Sequence, residues 1–465
     1  MALEVTSLDE SVVDELGDGL RGDLFTPGDP GYDEARSVWN GMIDRYPALV
    51  ASCRGVADVI RAVEFAREND VAVAVKGGGH HIAGNAVCDD GLVIDLSPMT
   101  SVQVDPAAGT ARVEPGATLA DFDHEAQAFG LATPLGINST TGVAGLTLGG
   151  GFGWLTRKFG MTVDNLRSVD VVTADGELRH ASEEENPDLF WGVRGGSGNF
   201  GVVTAFEFDL HEVGPEVLAG PVVYSGDDAP DVIRHVRDFN ADAPDESAVW
   251  VILRKAPPLP FLPEDVHGVG VVIVVAFYAG DVEAGEEVLA PVREYGDPIA
   301  DAVAPHRYAE FQQSFDPLLT EGARNYWKSH NFGELSDEAI DTAVEFAADL
   351  PSSLSEIFFG QVGGAMARVP ADATAYPHRD AEYVMNVHTR WEDPEDDERC
   401  IAWAREFFDA MAPYASGGVY VNFISEREGE ENLAYGDNYD RLVEIKNEYD
   451  PTNLFHVNQN VEPTA

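Results

Sequence analysis

The spacing of apolar residues changes along the chain, and each change marks a different element. Residues 49–53 are an apolar run of strand length, and over 55–68 Val56, Val59, Ile60, Val63 and Ala66 recur at the spacing of one helix face. Residues 71–75 are apolar throughout, which predicts a buried strand, and they run directly into Lys76-Gly77-Gly78-Gly79-His80-His81. Strands follow at 91–96, 101–105 and 110–114, the last two joined by a Pro106-Ala107-Ala108-Gly109 turn. Thr118 predicts the N-cap of a helix reaching Phe129. After a second glycine-rich stretch, 168–173 reads as a strand and Asp175-Gly176 as a hairpin turn. Gly196-Ser197-Gly198-Asn199-Phe200-Gly201 has the GxGxxG spacing of a dinucleotide-binding turn, but an alternating, β-branched strand pattern follows at 202–210 where a helix is required. A nicotinamide-binding unit is therefore rejected.

Past residue 213 the glycine-rich text stops. Strand patterns at 249–253, 268–277 and 383–387 and amphipathic helices at 337–350 and 399–411 predict a second α+β region. A helix at 438–448 ends at Asp450-Pro451. The text divides into an acidic leader with a few helical turns (1–44), to which no chemistry is assigned, a first domain (45–213), a second (214–413) and a C-terminal segment (414–465). No internal repeat interrupts this order.

Composition then bounds the setting. The chain has 465 residues, 44% of them hydrophobic, enough for packed cores. It carries 82 Asp and Glu against 29 Lys and Arg, a formal net charge of -53 spread along the whole length. Such a surface repels itself in dilute buffer and is tolerable where concentrated salt screens it, so the reading is a halophile's cytoplasmic protein. Nucleic acid and anionic membranes would be repelled. The first residues have neither a basic region nor an apolar core for export, and no apolar run approaches the ~20 residues of a membrane helix. Cys53, Cys88 and Cys400 are odd in number and far apart, which predicts buried thiols with no disulfide framework and no metal site. Lysine occurs only at 76, 158, 255, 328 and 446, which marks those survivors as candidates for fixed roles.

Glycine lets a main chain approach a ligand closely, so its N–H groups can converge on a pyrophosphate. The second glycine stretch is Gly142-Val143-Ala144-Gly145-Leu146-Thr147-Leu148-Gly149-Gly150-Gly151-Phe152-Gly153, followed by Trp154-Leu155-Thr156-Arg157-Lys158-Phe159-Gly160 and Asp164-Asn165. Near the C-terminus stand Tyr449-Asp450-Pro451-Thr452-Asn453-Leu454-Phe455 and Asn458-Gln459. Together with the first glycine stretch, this text resembles the berberine-bridge-enzyme-like flavoprotein oxidases, whose FAD domain is of the vanillyl-alcohol-oxidase or PCMH type. The resemblance is strong over 43–212, good over 414–463 and thin between.

The resemblance implies a two-domain α+β, PCMH-type FAD-binding fold with a substrate domain built on an antiparallel sheet, and a C-terminal segment that returns to the FAD domain. It implies FAD held by Lys76, Gly77, Gly78, Gly79 and Gly84, with His81 beside them. Thr140, Thr141, Gly142, Gly145 and Leu146 form the start of a second cradle, and Gly149, Gly150, Gly151 and Gly153 its continuation, with Val203 added from the following strand. His80 matches the histidine joined to the flavin 8α-methyl group; His81 is the alternative, and a histidine that only hydrogen-bonds phosphate stays open. Many relatives add a cysteine link shortly before the second stretch. Asn138 stands there, which implies a single attachment.

Tyr420 matches the tyrosine that takes the donor's hydroxyl proton, although a phenol with its ordinary pKa near 10 needs a nearby cation or the flavin's field, and a packing tyrosine is the alternative. Asn422, Asn458 and Gln459 would hydrogen-bond the flavin's polar edge or, otherwise, cap loops. His378-Arg379 and Trp327-Lys328-Ser329 look like signatures of the substrate domain without an assigned role, and Lys446 reads as a cation at its helix end. The implied activity is hydride transfer from a hydroxyl- or amine-bearing carbon of a small molecule to flavin N5, with reoxidation by O2 to hydrogen peroxide. Two alternatives stay open. One is a dehydrogenase with another electron acceptor, which turns on the small residues Val143, Ala144 and Gly145. The other is a flavin- or small-molecule-binding protein without turnover.

Overall fold

The computed structural model describes residues 10–426 and 431–464. Three parallel strands, Leu49–Ser52, Leu92–Asp95 and Val73–Lys76, form a small sheet with the antiparallel Leu24–Phe25 at its edge. The helix Val56–Asn69 covers it, burying Val59, Ala62, Val63 and Ala66, so the 3.6-residue spacing read in the sequence is the buried face. Beside it lies an antiparallel sheet of five strands in the order Val102–Asp105, Thr110–Val113, Val202–Asp209, Leu166–Val172 and Leu178–Ser182. Thr118 caps the helix Leu119–Gln127 reciprocally with Asp121. Gly196–Gly201 text leads into Val202–Asp209, a strand, which excludes a dinucleotide-binding turn there.

The rest of the chain builds one antiparallel sheet of eight strands. Its centre runs Glu216–Ser225, Gly270–Tyr278, Ser247–Lys255, Glu356–Gln361, Tyr383–Trp391 and Arg324–Phe332. Strand period two divides its faces. Val249, Val251 and Leu253, Ile357 and Phe359, and Met385 and Val387 pack beneath helices that include Ala229–Asp242 and Asp397–Met411. The alternate residues, among them Trp250, Ile252, Glu356, Phe358, Asn386 and His388, face the glycine-rich half.

The C-terminal helix Tyr439–Tyr449 packs in one core with the five-stranded sheet, through Leu442 and Ile445 against Trp191 and Phe200. Lys446 differs from its sequence reading. It is fully buried, and its Nζ donates to Asn199 O (2.8 Å), Phe455 O (2.9 Å) and Asp450 Oδ2 (2.7 Å). It ties the C-terminal segment to the loop before Val202–Asp209; completing three acceptors outweighs a helix-end charge effect that is largely a surface term. The three cysteines are buried and unbridged. No described helix is long and apolar enough to cross a membrane.

Candidate functional site

The two glycine stretches cross at the head of a cavity of about 310 Å³. A Cβ on Gly78 would lie 2.5 Å from the Gly142 nitrogen, and one on Gly142 would lie 2.5 Å from the Gly78 nitrogen. Only glycine at both positions lets the two main chains meet. Gly77, Gly78, Gly79, His80 and His81 line the cavity from one stretch, and Thr141, Gly142, Gly145 and Leu146 from the other, with Val203 beyond. Ala144 also lines it, while Val143 is buried in the core behind.

The remaining residues of the expected cradle lie behind this lining. Lys76 turns away, its Nζ donating to Ala35 O at 2.7 Å. Gly84, at φ +68°, faces Ile43. Gly149 abuts the Asn422 amide, Gly150 turns at φ +119° beside Met161, and Gly153 abuts Leu135 O. Gly151, at φ +76°, donates its N–H to the Tyr420 hydroxyl at 3.0 Å. The end of the second stretch thus sets the position of Tyr420 and Asn422.

His80 is half-buried, and burial pushes its imidazole down to about 4, so the ring is neutral near pH 7. The Thr140 hydroxyl donates to Asn138 Oδ1 (2.8 Å), whose orientation the Thr140 N–H fixes at 3.1 Å. That leaves the Thr140 oxygen to accept from His80 Nε2, 3.0 Å away, and leaves Nδ1 as the nitrogen with the lone pair. The His81 ring is engaged by the Ala83 N–H at 3.2 Å. The leader, to which the sequence reading gives no chemistry, supplies a wall: Trp39 is buried and stacks on His80 with ring centroids 5.1 Å apart. A single tryptophan in turn-rich text has no periodicity to betray it.

Tyr420 lies at the cavity immediately before a tight turn, Val421–Phe423, its hydroxyl accepting from Gly151 N–H and from Asn422 Nδ2 at 3.1 Å. Burial raises the phenol to about 12 against those two bonds. Both of these partners are neutral, so of the two activating influences the sequence reading named, a cation or the flavin's field, neither hydrogen bond supplies the cation. At the far end, Asn458 Oδ1 and Gln459 Oε1 are buried beside the cavity without a partner among the described residues. Gly145 and Gly198 line it with nothing within 4 Å of an added Cβ. Unsatisfied amide oxygens and open glycine backbone fit a flavin dinucleotide.

Other motif residues hold the frame. Arg379 pairs bidentately with Asp164 at 2.7 and 2.8 Å, His378 bonds Ala434 O at 2.9 Å, and Lys328 lies over the Phe408 ring. The sequence reading missed the floor. Trp250, Arg254, Glu356, Asn386 and His388 reach the cavity from three neighbouring strands, and Trp327, singled out without a role, reaches it from a fourth. Ser197 and Gly198, in the rejected GxGxxG text, line it as well.

Comparison with known proteins extends this geometry. A profile for an FAD binding domain matches residues 47–182, and one for berberine and berberine-like proteins matches 419–462. The (R)-6-hydroxynicotine oxidase of Paenarthrobacter nicotinovorans is 32% identical, covering 96% of this chain and 97% of its own. The crystal structure of 6-hydroxy-D-nicotine oxidase from Arthrobacter nicotinovorans superposes with a TM-score of 0.86 at 28% identity, covering 95% of this chain and 98% of that one. Xylooligosaccharide oxidase from Myceliophthora thermophila superposes with a TM-score of 0.84 at 26% identity, covering 98% and 100%.

Proposed function

Given that the chain belongs to the berberine-like FAD-linked oxidoreductases, we propose that an FAD attached once, through His80, works in this cavity on a hydroxyl- or amine-bearing carbon of a small molecule. The protein is an FAD-dependent oxidoreductase with the mixed α+β architecture of that family. The observation that carries the fuller reading is convergence: residues as far apart in sequence as Gly78, Gly142, Tyr420 and Asn458 line one cavity. The backbone at Gly77, Gly78, Gly142, Gly145 and Gly198 is suited to the pyrophosphate, and the amides of Asn422, Asn458 and Gln459 to the polar edges of the cofactor. When bound, the flavin supplies the acceptor for the donor's hydride.

His80 Nδ1, neutral and bearing its lone pair, is the nitrogen suited to a covalent bond, with Trp39 keeping its ring in plane. Asn138 cannot form the second link and instead orders Thr140. Tyr420 is the acid–base residue, its oxygen fixed by Gly151 and Asn422 so that its charged form would be met by two donors. Ala144 and Gly145 leave small side chains beside the cavity, which favours O2 as the final electron acceptor and hydrogen peroxide as product. We read the chain as an FAD domain (45–213), a substrate domain (214–413) and a returning segment (414–465) behind the leader (1–44), working in a salt-rich cytoplasm.

The test uses colour. Purified protein should be yellow, and candidate alcohols and amines added without air should bleach it. Rapid return of colour in air marks an oxidase, and slow return a dehydrogenase. Protein that binds FAD but is bleached by no donor in a broad panel supports the non-catalytic alternative instead.

A further inference from the structure

We propose that His388, oriented by Glu356, is the hydrogen-bond acceptor that selects the donor, and that the donor is an aromatic or heteroaromatic molecule carrying an O–H or N–H group. This rests on the reading of the cavity as the site of oxidation. Strand register sets Arg254 opposite Glu356, Glu356 opposite His388 and His388 opposite Trp327, one row across four strands. Arg254 Nη1 donates to Glu356 Oε2 at 2.6 Å, and His388 Nδ1 lies 2.9 Å from Glu356 Oε1. All three are buried, and all three line the cavity. Burial alone would protonate the Glu356 carboxyl, but Arg254 and His388 hold it well below the usual carboxylate range.

The ionised carboxylate fixes the hydrogen of the imidazole on Nδ1. With that hydrogen on Nδ1, Nε2 is the acceptor nitrogen of the ring, and it is buried without a partner among the described residues. A buried acceptor that the protein leaves unpaired beside a cavity is a place for a ligand's donor. Arg254 cannot serve an anionic ligand in the same way, because Glu356 already neutralises it. The walls around the row are rings: Trp250 packs against Phe152 and Phe358, and Trp327 against Phe423 and His388. Asn386 Oδ1, Trp327 Nε1 and Trp154 Nε1 are further buried polar atoms of the lining that have no partner among the described residues. A flat, mostly apolar donor with one or two polar groups suits that wall.

Phenol and anisole are the probes, since they differ by one O–H and neither offers a carbon to oxidise in this chemistry. Their binding to the purified holoprotein is measured by calorimetry, which reads heat and needs no turnover. Phenol should bind about tenfold more tightly than anisole, the ratio equivalent to 1.4 kcal/mol. His388→Asn keeps an amide beside Glu356 but removes Nε2, and should bring the ratio to about one by weakening phenol alone. His388→Gln retains an oxygen near the Nε2 position and should keep part of the preference. Glu356→Gln lets the imidazole hydrogen move to Nε2 and should also reduce the ratio, whereas a merely structural role would weaken both probes equally. Equal binding in the unaltered protein, or an undiminished ratio in His388→Asn, overturns the role of His388. Failure of both probes to bind overturns the aromatic donor. The function reading fails separately, if the protein takes up no FAD.

Discussion

On one side of the cavity the chain offers backbone; on the other it offers side chains. The side proposed for the cofactor is made by Gly78 and Gly142 in mutual contact and by Gly145 and Gly198, whose missing Cβ atoms leave room. The floor is made by Arg254, Glu356, His388 and Trp327, one residue from each of four strands, held together by register. A backbone cradle requires one residue type at each point of approach, so it leaves a readable string of glycines. A side-chain floor requires only that alternate positions of a strand face inward, and many residue types satisfy that.

The cofactor side breaks most sharply at His80. On the proposed attachment through His80, the flavin of the unaltered protein should stay with the polypeptide through acid precipitation. His80→Ala should release all of it, while leaving the glycine cradle able to bind free FAD. Retention of flavin by His80→Ala would move the attachment to His81, and mass spectrometry of the flavin-bearing peptide distinguishes the two.

The floor breaks at Arg254. Its pair with Glu356 is almost fully enclosed, with side chains 7% and 10% exposed. Arg254→Met leaves a buried carboxylate without its cation and should cost about 3–5 kcal/mol of stability near pH 7. The pH dependence has a definite sign. In the unaltered protein Glu356 is depressed to about 2 when folded, so its contribution is present above the unfolded value near 4.3 and is lost as pH falls toward 2. In Arg254→Met the carboxyl loses its strongest charge partner and is held less far down than in the unaltered protein, so the stability gap between the two proteins should narrow as pH falls from 5 toward 2. Denaturant unfolding at stepped pH measures it; a constant gap would mean the pair carries no linked proton.

Legibility follows the same divide. The first half was readable because its strand and helix periods stand in short, regular runs, as in Val56–Asn69, and because Gly77–Gly79 and Gly142–Gly153 text has few structural reasons to exist. Strands such as Arg324–Phe332 and Glu356–Gln361 escaped: the first is polar at many positions, and the second is six residues with no alternation. With those strands unread, the pairing of Glu356 with His388 could not be foreseen, since register is set by tertiary packing. Trp39 and Lys446 were hidden for a related reason. Each acts through partners distant in sequence, His80 for one and Asn199 for the other.

Tyr420 belongs to both sides, because Gly151 of the glycine stretch holds its hydroxyl while Ser329 of the large sheet accepts its backbone N–H at 2.9 Å. Tyr420→Phe should leave FAD binding intact and slow anaerobic flavin reduction by roughly 10²-fold or more, the scale of a lost acid–base group. An unchanged rate would make Tyr420 a packing residue and shift the proton-accepting role to the sheet.

The smallest effect separates the interior from the surface. With 82 acidic against 29 basic side chains, the exposed carboxylates repel one another in the compact state, and salt relieves that repulsion. The unfolding temperature should therefore climb from 0.1 to 3 M KCl, because screening continues to tighten as the Debye length falls from about 10 Å to below about 3 Å. A surface of ordinary acidity would gain most of its relief early, so a curve that flattens before about 0.5 M would remove the salt-rich cytoplasm from the reading. The enclosed pairs give the internal control. Lys446–Asp450 is fully buried and Arg254–Glu356 nearly so, and mobile ions cannot reach between them. The destabilisation caused by Arg254→Met should stay constant across the salt series while the unfolding temperatures of both proteins rise together; a penalty that shrinks with salt would mean water and ions enter the floor, and that the row across the four strands is not the dry acceptor site its burial describes.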